Sequence, residues 1–578
     1  MKERTWVLLL TAAGVLSPRL AVAQSASVAP RYAPLDINNL FNYYGNNGDG
    51  SNNPYTTSKE GFEFLKGTGR TLYYEDGIVW GGYQQGKSGP CVGGSAYGHG
   101  LLPGPILSWG TPGKGPVAAD PSNDAYRIYR VRADIGPRTD SATAIARIAS
   151  DESSLISRYQ SLSPASIYHA YVRDWIEWPA ILGAPYTDVD GDGKYDPMVD
   201  LPGQPGADQT LWYVANDVDP VTTTSFAGSQ PIGLEMQKTI WGYRRPMGAL
   251  TTTIFQRTRI INKSGIPIDS MFIGQWSDPD IGDAGDDAIG YDIPRSMGYA
   301  YNGRPVDAFL GTALPACGFT LLQGPVVPGD AADSALWGTE QRRGYRNLGV
   351  GSFLLALPLP YVYQVVSPDS RAWYSLLKGL LPNGYPLIDP RTNAVLKYEF
   401  TGDPVLDTGL VAIGIGLASP IDVRMIMSCG PFGMAPGDTQ EIVLAQVAAL
   451  GSDRLSSITA LRAAVDKLHE GYADIISATS QPEVPSLPPV PPTYTLYQNY
   501  PNPFNPATSI RYELPLRSHV TLSVYSVLGQ LVATLVNDAQ EAGTHEVSFT
   551  PAGLASGVYF YRLQAGAFSS AKKLTILR

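Results

Sequence analysis

Apolar positions alternate at period two through much of this chain, and the last stretch shows it most clearly. Ile510, Tyr512 and Leu514, then Val520, Leu522 and Val524, then Val547 and Phe549, and finally Tyr559, Tyr561 and Leu563 follow the two-residue repeat of half-buried strands. Pro515, Gly529, Gly543 and Gly557 punctuate them, so a small β-sandwich is expected over 494–578. Upstream, Asp124–Arg132 and Ile442–Val447 also read as strands, and Leu40–Tyr44 leads into a turn-forming run at Gly45–Gly50. The stretches 72–82 and 91–97 read as short apolar pieces broken by glycines in an irregular β region. Ile254–Ile261 and Met271–Trp276 read as a hairpin turning at Asn262–Gly265.

The period changes twice. Ile167, Tyr168, Tyr171, Trp175 and Trp178 suit an amphipathic helix over 166–178, with both tryptophans in the core. Leu455, Ile458, Leu461, Val465, Leu468 and Tyr472 recur at three and four, with Ser452 or Asp453 placed to cap the first turn. This predicts a helix at about 453–476 that closes the body.

Six prolines in the eleven residues from Pro482 to Pro492 then predict a semi-rigid spacer. At the other end, Lys2 and Arg4 precede an apolar run from Trp6 to Leu16, and Ala21-Val-Ala23 supplies a small-x-small cleavage pattern. The expected organisation is a signal peptide over 1–23, a body over 24–480 of one or two subdomains, a linker over 481–493 and the sandwich over 494–578. Phe353–Pro360, the longest later apolar run, is broken by two prolines, so no membrane span is expected in the mature chain.

Composition narrows the class. With 61 glycines, 48 prolines and only 16% charged residues, the 578-residue chain favours turns and strands. The fold class expected is mainly β: a β-rich extracellular body with a few helices, a proline-rich linker and a C-terminal immunoglobulin-like β-sandwich. A net charge of -10 opposes nucleic-acid binding and suits hard cations. Cys91, Cys317 and Cys429 allow one disulfide and a free thiol, or three buried thiols, and their spacing does not decide.

The sharpest candidate chemistry is Asp188-Val-Asp-Gly-Asp-Gly-Lys-Tyr-Asp196. Asp188, Asp190 and Asp192 fall at positions 1, 3 and 5 of a calcium loop, Gly193 at the turn, Lys194 at the carbonyl position and Asp196 at position 9. Val199 stands where a bidentate glutamate is usual, so Asp200 or a distant carboxylate must complete the shell. Clustered carboxylates repel, by about 1 kcal/mol per pair at 4 Å even in water, and a bound cation relieves this.

A second acidic stretch holds Asp278, Asp280, Asp283, Asp286, Asp287 and Asp292 behind Trp276. It reads as a second metal site, as the paired carboxylates of a glycoside hydrolase beside a tryptophan platform, or as a plain acidic loop. Asn216–Asp219 offers outer ligands. Cys91 with His99, the other body histidines His169 and His469, and the glycine-rich Gly110–Gly115 match no nucleophile, zinc or phosphate-loop pattern.

Tyr497-Gln-Asn-Tyr-Pro-Asn-Pro-Phe-Asn-Pro506, Ser526-Val-Leu-Gly-Gln530, Gly553-Leu-Ala-Ser-Gly-Val-Tyr-Phe-Tyr561 and Lys572-Lys573-Leu-Thr-Ile-Leu-Arg578 together resemble the type A C-terminal sorting domain of the type IX secretion system. Pro501, Asn502, Pro503, Gly529, Gly557, Tyr559, Lys572 and Lys573 match that family's pattern. The resemblance implies recognition by an outer-membrane translocon and processing by a sortase, with delivery outside the cell by way of the periplasm. Surface lipopolysaccharide or glycans then become candidate partners. Phe400–Val405 and Cys429–Glu441 resemble uncharacterised surface proteins that carry the same domain, which implies no activity. The functional expectation is an exported protein with a calcium-stabilised body in a structural or adhesive role; the alternative is a secreted polysaccharide-acting hydrolase or carbohydrate-binding protein.

Overall fold

The computed structural model describes residues 29–577 apart from 56–60, 98–99, 112, 159–161, 245–247, 357–368, 390, 413–421, 478–492, 516–517, 541–542, 552 and 567. The expected signal peptide, nearly all of the proline-rich spacer and the end of the Phe353–Pro360 run lie outside the described residues. Strands dominate, as expected.

Among the described residues of the body, two large antiparallel sheets carry the structure. One runs in the order Tyr32–Leu35, Leu40–Gly45, Phe62–Phe64, Thr71–Gln84, Ile268–Pro279, Met425–Met434 and Ser352–Leu355, with Cys91–Gly94 also paired to Thr71–Gln84. The other runs Asp287–Asp292, Met297–Asn302, Ala316–Gln323, Thr439–Ala449, Thr253–Asn262, Leu234–Gly242, Gln209–Asn216 and Leu102–Pro103, with Tyr129–Arg132 also on the Gln209–Asn216 strand. Their inner faces share one core, in which Leu40, Tyr73, Ile78 and Trp80 of the first sheet meet Leu211, Met236, Ile260 and Leu444 of the second.

The outer faces are covered as well. The helix Arg454–Ser477 lays Ile458, Leu461, Val465, Leu468 and Tyr472 against Trp241, Phe255, Tyr299 and Val443 of the second sheet. Asp453 caps it, its Oδ1 accepting the amides of Leu455 and Ser456 at 2.9 Å each. On the first sheet, Trp373, Tyr374 and Leu377 of the helix Ser370–Leu377 pack on Val79, Phe272 and Trp276. The helix expected over 166–178 runs Pro164–Ile176, because Ser163 and Ser166 exchange side-chain and backbone bonds at its start.

Three local expectations are corrected. Ile254–Ile261 and Met271–Trp276 are strands, but they do not pair with each other. Thr253–Asn262 pairs with Leu234–Gly242 and Thr439–Ala449, while Ile268–Pro279 pairs with Thr71–Gln84 and Met425–Met434. The chain crosses between sheets at Asn262, whose Nδ2 donates to the carbonyls of Ile266 at 2.9 Å and Met434 at 3.0 Å.

The stretch 72–82, expected to be irregular, is a continuous strand, Thr71–Gln84. Its glycines admit neighbours rather than break it; a Cβ on Gly77 would sit 2.2 Å from the Ser95 carbonyl oxygen. Within Asp124–Arg132 only Tyr129–Arg132 is strand, since Asn123 caps a 3-10 turn at Asp124–Tyr126.

The C-terminal module is a sandwich of its own. Thr495–Leu496, Thr508–Leu514 and Gly543–Phe549 form one sheet; Leu531–Gln540, Ser518–Ser526, Gly557–Ala565 and Phe568–Ile576 form the other. The alternating residues Ile510, Tyr512, Leu514, Val520, Leu522, Val524, Tyr561 and Leu563 fill the space between them. Among the described residues no helix is long and apolar enough to cross a membrane.

Glu399, buried beside Ser352–Leu355, accepts the Leu355 amide at 2.9 Å, and burial pushes its carboxyl up to about 7. Between the ordinary glutamate value and pH 7 the folded chain therefore holds a proton that the unfolded chain has released, so stability falls as pH rises through that window. Glu399→Gln is expected to flatten this fall, by up to about 3 kcal/mol, in urea unfolding compared at pH 5 and pH 8.

Candidate metal centre

The Asp188 loop is closed by a two-residue ladder in which Tyr186 pairs with Pro202 and Thr187 with Leu201. Its far side is held by Tyr195, whose hydroxyl donates to the Trp175 carbonyl at 2.6 Å, and by Trp175 Nε1, which donates to the Pro197 carbonyl at 3.0 Å. Gly191 and Gly193 adopt φ of 74° and 75°, a left-handed geometry that side-chain-bearing residues resist.

Within this frame one carboxylate oxygen each from Asp188, Asp190 and Asp200 lie within 4.8 Å of one another. Asp188 and Asp190 face solvent and Asp200 is buried. Asp200 thus joins where position 12 of a calcium loop would have brought glutamate.

The loop's amides already fix these oxygens. Asp188 accepts from Gly191 and Gly193 at 2.8 Å each, which holds its carboxyl below the usual range, the Gly193 amide contributing most. Asp200 accepts from Val189 and Asp196, also at 2.8 Å. Asp190 accepts the Asp192 amide, but desolvation and the neighbouring charges of Asp192 and Asp200 outweigh that bond and raise it. Asp192 and Asp196 stand outside the converging trio; they accept the amides of Lys194 at 2.7 Å and Met198 at 2.8 Å.

The second acidic stretch does not form one site. Asp278 and Asp280 converge with Asp422, which nothing in the local sequence connects with them. Asp283 caps the turn Ala284–Asp286, Asp286 accepts from Asn302 Nδ2 at 2.7 Å, and Asp287 accepts the Ile281 amide at 3.1 Å. Asp292 pairs with Arg295 and Arg462 at 3.0 Å each. Trp276 is 2% exposed and packs edge-on against Tyr97, so it presents no face to a sugar.

The remaining candidates are structural. Asp217 accepts the amides of Gly233 and Leu234, and Asp219 caps Pro220–Ala227. All three cysteines are buried free thiols, and burial pushes Cys429 up to about 12, far from a thiolate at neutral pH. Thr111 and Lys114 bond each other's backbone in a tight turn. His99 lies outside the described residues, and His469 is bonded to Thr320 and the Arg295 carbonyl.

In the C-terminal module, the segment around Pro501, Asn502 and Pro503 is stitched to the last strand. Asn502 Oδ1 accepts the Thr575 amide at 2.9 Å and its Nδ2 donates to the Lys573 carbonyl at 3.2 Å. Phe504 continues the seam by donating to Thr575 and accepting from Leu577, both at 3.0 Å. Pro501 accepts the Thr508 hydroxyl at 2.8 Å.

Gly529, at φ 76°, turns the hairpin that exposes Val527 and Leu528. Gly557 opens a strand whose Tyr559 donates to the Ala555 carbonyl, and Lys572 and Lys573 stand opposite Tyr561 and Phe560. Asn499, Phe504, Tyr561 and Thr575, all within the quoted motif segments, tie these signals together through bonds between segments distant in sequence. Residues 498–577 match the family described as the secretion system C-terminal sorting domain. This chain therefore carries a type IX secretion sorting domain, which marks it for the cell surface or the extracellular space.

A comparison with curated proteins finds no match. Among solved structures, a polysaccharide lyase is similar at 8% identity and a TM-score of 0.17, over 59% of this chain and 34% of that one, so the alignment takes in about a third of that protein's length. A likeness that slight carries no argument about fold or activity.

Asn502→Ala is expected to loosen the seam rather than the core, at a cost of about 1–3 kcal/mol to the C-terminal sandwich. Amide hydrogen exchange separates the two: Thr575 and Leu577 should exchange faster in the variant, while Leu522 and Val524 in the sandwich interior keep their rates.

Proposed function

We propose that this protein is an exported surface or secreted scaffold whose β-rich body is stabilised by calcium at the Asp188 loop and serves a structural or adhesive role. The observation that carries the reading is the convergence of Asp188, Asp190 and Asp200 within 4.8 Å, in a loop whose backbone amides already orient all three carboxylates. An all-oxygen set suits a hard cation. The calcium role is one of stability: a bound ion offsets the repulsion among three carboxylates and fixes a loop that leans on the body through Tyr186, Tyr195 and Leu201.

Sites of this class in extracellular modules bind at roughly 10⁻⁴–10⁻³ M. Ten-millimolar calcium should then add about 1.5–3 kcal/mol, a rise of about 1.5–3 °C in melting temperature relative to EGTA. Asp188→Asn combined with Asp190→Asn should shrink the rise by this loop's share while leaving the melting temperature in EGTA nearly unchanged. Equal melting temperatures in EGTA and in calcium for the unsubstituted chain would sink this reading.

A further inference from the structure

The strand Ile268–Pro279 ends beside the start of Met425–Met434. The register, with Ser277 opposite Met425, sets Asp278 beside Arg424 and continues toward Asp280 and Asp422. One carboxylate oxygen each from Asp278, Asp280 and Asp422 lie within 4.8 Å of one another. Arg424 bridges two of them, at 3.3 Å from Asp278 and 2.7 Å from Asp422. Glu75 lies opposite Asp278 on the other side of the ladder.

A separate observation concerns the hydrogen bonds of Asp278, which is 1% exposed. Its Oδ2 accepts the Tyr97 hydroxyl at 2.9 Å and faces Arg424, whereas its Oδ1 is buried without a hydrogen-bond donor among the described residues. A buried carboxylate oxygen left bare is costly, and water cannot relieve it from outside. A cation among the three carboxylates satisfies that oxygen and removes the repulsion together.

We propose that Asp278, Asp280 and Asp422 bind a second calcium ion, which clamps the end of the Ile268–Pro279 strand to the residues leading into Met425–Met434. The ligands are again oxygens alone, so a hard divalent cation is the chemical class. The site shares no residue with the Asp188 loop and does not depend on that loop's reading.

The test is calcium stoichiometry by isothermal titration and equilibrium dialysis, on the full chain stripped with EGTA. Two ions are expected for the unsubstituted chain and one for the Asp188→Asn/Asp190→Asn variant. The Asp280→Asn/Asp422→Asn variant should also retain one, with an unchanged circular dichroism spectrum. If this second variant does not fold, the ion retained by the Asp188→Asn/Asp190→Asn variant still decides.

No calcium bound to the Asp188→Asn/Asp190→Asn variant overturns the second site, as does an unchanged stoichiometry in a folded Asp280→Asn/Asp422→Asn variant. The opposite failure is separate. A single ion lost only on substituting Asp280 and Asp422 supports this site and removes the Asp188 loop.

Discussion

Everything in the body depends on two sheets packing face to face while the chain passes back and forth between them. Asn262 pins two of those passages. Its amide donates to the Asp438 carbonyl at 2.9 Å and its carbonyl accepts from Gly437 at 2.8 Å, while its side chain holds Ile266 and Met434. Its Oδ1 accepts from the Ser264 hydroxyl and amide. The arch from Thr253–Asn262 to Ile268–Pro279 and the arch from Met425–Met434 to Thr439–Ala449 are thereby fastened at one fully buried residue. The register that brings Asp278 to Arg424 follows from strands that leave this joint side by side.

That joint also explains what the sequence discloses and what it hides. A strand with one wet face advertises itself by alternation, and the sandwich from 494 onward is legible residue by residue because Ile510, Tyr512 and Leu514 alternate with exposed or half-buried neighbours. Thr71–Gln84 and Thr253–Asn262 are covered on both faces and bury polar residues such as Glu75, Asp76, Gln256 and Arg257 among the apolar ones, so no alternation marks their register. Partner choice is harder still. Ile254–Ile261 and Met271–Trp276 read as a hairpin because they are neighbours in sequence, and nothing local says that Asn262 will send the second to another sheet.

The acidic residues teach the same lesson at the scale of a side chain. The Asp188 spacing is local, and the structure brings Asp188 and Asp190 together within a single loop, with Asp200 arriving through a short ladder. Between Asp278 and Asp292, by contrast, density of aspartate is a poor guide to purpose. Asp283 caps a turn, Asp287 holds an amide, and Asp292 joins Arg295 and Arg462 to fasten the closing helix. Asp422 has no local signal because its relation to Asp278 exists only through strand pairing.

On the proposed reading, the body and the C-terminal sandwich are stabilised in different ways. The C-terminal sandwich has a core made from its own residues, Leu496 to Ile576, and a seam in which Asn502 and Phe504 bind the last strand through backbone groups. Among the described residues, both converging carboxylate trios lie in the body. On the proposed reading part of the body's stability therefore comes from calcium at roughly millimolar affinity. Mass action then makes the body's rigidity a property of the medium it reaches, while the sorting module rests on apolar packing and backbone bonds that the medium changes far less. On that reading, the sorting signal is built without the ion proposed for the body.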